Sequence, residues 1–197
     1  MAYSSGFSPH PRISYANASP TGAASEAEYL EIGLAAVCDA QQVRLALDAA
    51  LPPGLDVVEV VVAAPGALAD LLTASRWHID VVGVSATVVD AAVAAVLSQD
   101  SLVVERMTKS GIRAFDVRQA IVSLTREPPP DSSVIRSERI ALVTRHQEPL
   151  VRPDDVLTAM TTVLPDFRPA EAPILTRLSQ GTLDPVTAEI TEPFGTR

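Results

Sequence analysis

The chain has 197 residues, a net charge of −9 and 47% apolar side chains. That length fits one medium domain or two small ones, and that apolar content supplies a core and excludes wholesale disorder. The acidic balance argues against a generic nucleic-acid binder, and no apolar run reaches the roughly 18–20 residues of a membrane span.

Residues 1–6 show neither a basic n-region nor an apolar h-region, so no signal peptide is expected. Cys38, the only cysteine, fits a reducing cytoplasm and rules out an internal disulfide. Its neighbours Ala35, Ala36 and Val37 favour a packed thiol over a nucleophile. Residues 1–11 read as a loop, because Pro9 and Pro11 forbid helix and withhold ladder donors. A strand is predicted over 12–17, a turn at Pro20-Thr21-Gly22, and a strand over 27–34. Asp39 can cap a helix over 40–51, with Val43, Leu47, Ala50 and Leu51 at helical spacing and Pro52-Pro53-Gly54 as its stop. The β-branched run from Leu55 to Ala63 has the composition of a buried strand.

A short helix over 66–74 leads to a strand over 77–84, with His78, Asp80 and Val82 on one face and Trp77, Ile79 and Val81 on the other. Ser85 caps a helix over 86–98 with a stripe of Val89, Val93, Val96 and Leu97. Residues 101–108 and 112–117 read as a hairpin turning at Ser110-Gly111, followed by an extended stretch over 118–126. Residues 127–131 form a proline-rich loop, and 133–145 a long strand. Pro153 with Asp154 and Asp155 starts a helix over 153–163, with Val156, Leu157 and Met160 inward. Residues 167–178 look extended, and the segment after Gly181 is expected to fray. The second half thus reads β-α-β-β-α-β, the split β-α-β or ferredoxin-like pattern. The first half, β-β-α-β, is that pattern without its leading β-α. The expected fold is α+β: two tandem ferredoxin-like units over 1–64 and 75–180, with a flexible tail over 181–197.

Gly6-Phe7-Ser8-Pro9-His10-Pro11-Arg12-Ile13-Ser14-Tyr15, followed by Ser25-Glu26-Ala27-Glu28-Tyr29-Leu30-Glu31-Ile32, matches no standard catalytic motif. It resembles the start of a radical-SAM-linked bacterial family of unknown function, the DUF2344 type. Members of that family read close to G-F-N-P-H-P-R-I-S-F and then S-E-A-E-Y-L. A second stretch, Leu150-Val151-Arg152-Pro153-Asp154-Asp155-Val156-Leu157, is similar to the family's L-R-P-D-E-L-L. The family normally places a strand and helix ahead of the Pro-His-Pro loop. The resemblance therefore implies an N-terminally truncated first unit, with an unpaired sheet edge through which the chain could self-associate. It also implies a radical-SAM enzyme as partner and RNA as a candidate substrate. S-adenosylmethionine and an iron–sulfur cluster would then belong to that enzyme, since this chain lacks C-x3-C-x2-C.

Candidate site residues follow. A rigid Pro9-His10-Pro11 presents an imidazole at low entropic cost, and Arg12 can fork onto a phosphate. The competing reading is a loop that only steers the chain into its strand. Glu26 and Glu28, ahead of Tyr29, share a strand face and could do acid–base work; a solvent-facing strand start is the favoured reading. Residues 101–152 carry 9 basic and 6 acidic side chains, so positive charge concentrates there. Arg106, Lys109, Arg113, Arg136 and Arg139 are the candidates for nucleic-acid contact. Phe115 is the only aromatic in the stretch, and ion pairs to Glu105, Asp116 and Glu138 are the favoured account of it. His10, His78 and His146 are too scattered for a metal site. The functional expectation is a non-catalytic partner or substrate-presenting module for a radical-SAM enzyme. Two alternatives stay open: an RNA-modifying or RNA-processing enzyme using His10 and Arg12, and a protein-interaction scaffold without a ligand.

Overall fold

A computed structural model describes residues 1–108, 111–128 and 137–194. The architecture is α+β, with ten strands and four α-helices among the described residues. It divides into two compact units. The first comprises residues 1–18 and 29–70, the second residues 19–28 and 71–197.

In the first unit, β1 (Ile13–Ala16) pairs antiparallel with β3 (Tyr29–Ile32). Helix α1 (Ala40–Ala50) starts as the sequence predicts: the Asp39 side chain accepts the Gln42 N–H at 2.9 Å. Yet α1 buries no residue completely. The strand expected over 55–63 does not form. A β-branched run becomes a strand only against a ladder partner. Here Val57 instead donates its N–H to Asp48 and accepts from Arg44 through its carbonyl, both on α1. The exposed Cys38 also departs from the packed thiol expected. Its neighbour Val37 is fully exposed, so the apolar flank has nothing to pack against. The helix expected over 66–74 shortens to α2 (Leu68–Leu71), across the sequence boundary between the units.

The second unit is mixed α+β, and the strand expected over 101–108 does not join its main sheet. Strand β4 (Ala74–Val82) is followed by α3 (Ala86–Leu97), β7 (Ile121–Glu127), β8 (Ser137–Arg145), α4 (Pro153–Val163) and β9 (Ile174–Leu183). The hairpin β5 (Val103–Thr108) and β6 (Gly111–Asp116) lies between α3 and β7 in the chain and pairs only with itself. Of the stretch expected extended over 118–126, Arg118–Ala120 forms a 3-10 turn and the rest forms β7. The sheet runs β9-β4-β8-β7, antiparallel throughout, with β4 at its centre. Two-residue β2 (Ala24–Ser25) adds to β9 in parallel. Trp77, Ile79 and Val81 of β4, with Ile140 and Leu142 of β8, meet Val89, Ala92 and Val96 of α3 and Val156, Ala159 and Met160 of α4 in one core. The alternation predicted for β4 holds: His78, Asp80 and Val82 are only half-buried.

The segment after Gly181, expected as a flexible tail, carries strand pairing in its described part. β9 continues to Leu183, and β10 (Ile190–Thr191) folds back onto it. Two features make this possible. Asp184 accepts the N–H groups of Val186 and Thr187 and so turns the chain. Gly181 leaves room for the returning strand, since a Cβ there would lie 2.0 Å from the Thr191 carbonyl oxygen.

Candidate functional site

The Pro-His-Pro loop is pinned by backbone bonds within the first unit. Ser4 and His10 are joined twice: the Ser4 N–H donates to the His10 carbonyl at 2.8 Å, and the His10 N–H to Ser4 Oγ at 3.0 Å. Arg12 N–H donates to Ala2 O, Gly33 N–H to Arg12 O, and Ala2 N–H to Gly33 O, closing a ring of three backbone segments. Gly6, at φ +129°, reverses the chain in a conformation open to glycine. Gly33 is required by proximity, because a Cβ would sit 2.9 Å from Arg12 Cβ.

This frame leaves Arg12 exposed in a cleft of ≈ 340 Å³ lined by Tyr3, Ser4, Ser5 and Arg12. Its guanidinium has no ion-pair partner among the described residues. The lining offers one forked cation and three hydroxyls. Ser4 Oγ already accepts a backbone N–H, so its own proton points elsewhere. Such a set suits an anion with several oxygens. The exposed His10 uses its backbone for these bonds.

The other residues singled out beside this loop divide between the units. Tyr29 opens β3 of the first unit, opposite Ala16. Glu26 and Glu28 belong to the second unit. The Glu26 N–H donates to the Arg177 carbonyl at 2.8 Å. The Glu28 carboxylate accepts from Arg177 Nη2 and from the Ser19 N–H. Arg177 is 2% exposed. It also donates from Nε to Ser25 Oγ at 3.1 Å and lies over the Trp77 ring at 5.4 Å. Glu28 thus neutralises a buried cation.

The basic segment is largely spoken for. Arg139 forks onto Asp80 at 2.7 and 2.8 Å, and Arg126 onto Asp90 at 2.8 and 3.0 Å with Glu138 at 3.5 Å. Arg106 pairs with Asp155 at 2.5 Å, donates to Leu150 O, and stacks over Phe115 at 4.8 Å. Burial pushes the Asp155 carboxyl up, against the lowering effect of the Arg152 N–H and the Arg106 charge. Of the partners expected, Glu138 takes part. Asp116 instead accepts the backbone N–H groups of Leu102 and Arg118. Arg113 is exposed, while Lys109 and Arg136 lie outside the described residues. Among the described residues no group of three or more His, Cys, Asp or Glu could hold a metal, and no helix is long and apolar enough to cross a membrane.

Sequence reasoning missed a row of buried polar groups in the second unit. Ser75 lies between Thr144 on β8 and Gln180 on β9, and all three are buried. His146 Nδ1 is 2.5 Å from the Leu72 carbonyl and Nε2 is 2.8 Å from Ser75 Oγ. A carbonyl can only accept, so Nδ1 carries the proton and Nε2 accepts from Ser75. That resembles a nucleophile–base–orienter chain, but Ser75 is 2% exposed and no substrate reaches it. Little in the sequence signals this row, since Ser75, Thr144 and Gln180 stand at ordinary strand positions.

Residues 1–153 match the family model described as an uncharacterised protein conserved in bacteria (DUF2344). The chain belongs to that family. No curated protein and no solved structure matches it.

Proposed function

We propose that this chain is a non-catalytic, substrate-presenting partner of a radical-SAM enzyme acting on RNA, and that the cleft at Arg12 holds a phosphate. The observation that carries the binding site is the setting of Arg12. Arg106, Arg126, Arg139 and Arg177 are each occupied by a carboxylate, whereas Arg12 stands exposed on a pinned loop among hydroxyls. The enzyme partnership rests on the family resemblance, and in this reading the S-adenosylmethionine and iron–sulfur chemistry belongs to the partner. Both units are then variants of the split β-α-β plan, the first incomplete.

A guanidinium–phosphate bond contributes about 1.5–3 kcal/mol, so Arg12→Ala should weaken binding of a labelled single-stranded RNA about tenfold or more. Fluorescence anisotropy with RNA and with nucleoside phosphates reads this, and circular dichroism checks that the fold is unchanged. Equal binding by the variant, with a lowered melting temperature, would make the loop structural only. Adding the chain to a radical-SAM enzyme encoded beside it should raise RNA turnover. Turnover by the chain alone, lost in His10→Ala, would replace this reading with the enzymatic one.

A further inference from the structure

In the second unit Trp77, Phe115 and Phe167 belong to the core. In the first unit Tyr3, Phe7 and Tyr15 are 58%, 107% and 65% exposed. All three lie in the stretch that carries Arg12. Tyr3 lines the same cleft as Arg12 and bridges to Pro11, between the Ser4–His10 and Ala2–Arg12 backbone bonds. Phe7 follows Gly6, where the chain reverses. Tyr15 lies on β1, opposite Leu30 of β3. Apolar side chains exposed singly need no explanation, but three large rings in one short segment beside a cation do.

The mixture of groups identifies what would cover them. An apolar protein surface would satisfy the rings and leave the Arg12 guanidinium and the serine hydroxyls desolvated without partners. A free phosphate would satisfy Arg12 and leave the rings in water. A nucleotide satisfies both, since every base has a face that stacks on an aromatic ring and every phosphate accepts from a guanidinium. Charge limits its length. The first unit sets Glu31, Asp39, Asp48, Asp56, Glu59 and Asp70 against Arg12 and Arg44, so it repels an extended phosphate backbone.

We propose that Tyr3, Phe7 and Tyr15 form a stacking surface for unpaired bases, and that the ligand at Arg12 is a short single-stranded segment held through its bases and one phosphate. This rests on the phosphate reading of the cleft and adds the class of nucleic acid. Bases inside a duplex have both faces covered and cannot use such rings.

The test uses the full chain and three labelled probes read by fluorescence anisotropy. They are an oligoadenylate of about six nucleotides, within the span of small single-strand sites, an abasic oligomer of the same length, and a blunt RNA duplex. The oligoadenylate should bind at least about tenfold more tightly than either of the others. Phe7→Ala and Tyr15→Ala should each weaken it at least about fivefold, while Phe7→Tyr and Tyr15→Phe should not, because stacking asks for a ring and not for a hydroxyl. Phe7 is fully exposed, so its loss leaves the packing of the chain intact. With one phosphate held, log affinity should fall with log salt at a slope of about −0.7. A slope steeper than about −2, the mark of three or more phosphates, overturns the proposal. So does equal binding of the oligoadenylate and the abasic oligomer, or binding of neither. If Arg12→Ala weakens oligoadenylate binding and the ring variants do not, the phosphate reading stands and the stacking surface falls. If the ring variants weaken it and Arg12→Ala does not, the bases are bound and the phosphate reading falls. A concentration-dependent dimer that Phe7→Ala and Tyr15→Ala dissociate would make the rings a contact between copies and overturn the proposal.

Discussion

At the scale of single residues, the second unit keeps its charges by pairing them. Arg177 is buried because it has four kinds of contact: a carboxylate, a hydroxyl, a ring face and the strand it belongs to. Isolated burial of a guanidinium would be prohibitive, and Glu28 offsets much of that cost. His146 solves the same problem by staying neutral. Burial is the largest cause lowering its pKa, with the Arg177 charge adding to it, against the Leu72 hydrogen bond. A histidine whose folded pKa is depressed contributes stability that is complete above its unfolded value, about 6.5, and is lost as pH falls toward the folded value. Protonation also forces Ser75 to accept where it now donates. Denaturant unfolding should therefore show stability falling as pH drops below about 6.5, with a slope of at most about 1.4 kcal/mol per pH unit from this group. His146→Gln should flatten that part of the profile; an unchanged slope would mean that His146 does not carry it.

At the scale of elements, local chemistry was legible where an element needs only itself. Asp39, Ser85 and Pro153 each mark a helix start, and α1, α3 and α4 begin where those residues place them. The alternation of β4 gave its buried face correctly. Strands that need a partner were not legible in the same way. Residues 55–63 have strand composition and no strand, whereas Ile190–Thr191, in a segment rich in Thr, Pro and Glu, pairs because β9 offers an edge. Arg12 was legible as a candidate from its prolines; the hydroxyls of Tyr3, Ser4 and Ser5 beside it were not, because a turn at Gly6 brings them back. The β9–β10 pairing gives its own test. Gly181→Ala drives a methyl into the Thr191 carbonyl, since a Cβ there would lie 2.0 Å from that oxygen, far inside contact. Hydrogen exchange at Ile190 and Thr191 should rise to the rate of an open chain while β4 and β8 stay protected. Undiminished protection would show that β10 can shift without parting from β9.

At the scale of the whole molecule, burial is distributed very unevenly. The connected core of Trp77, Ile79, Ile140, Leu142, Met160 and Phe167 lies wholly in the second unit, and its sheet gives that core a continuous floor. In the first unit only Ala16 and Leu68 are buried apolar residues, and α1 contributes none. Helices of eleven residues are marginal without tertiary packing. The two units should accordingly open with different free energies, since local stability follows buried apolar contact. Native-state exchange should find the slowest amides in β4 and β8, which are paired on both edges or packed on the core. Amides of α1 should exchange at least about a hundredfold faster, through openings that leave the second unit folded. Limited proteolysis should first cut between 51 and 67, where no helix or strand protects the backbone. Equal protection of α1 and β4, with a single cooperative unfolding, would mean that the two units do not open separately.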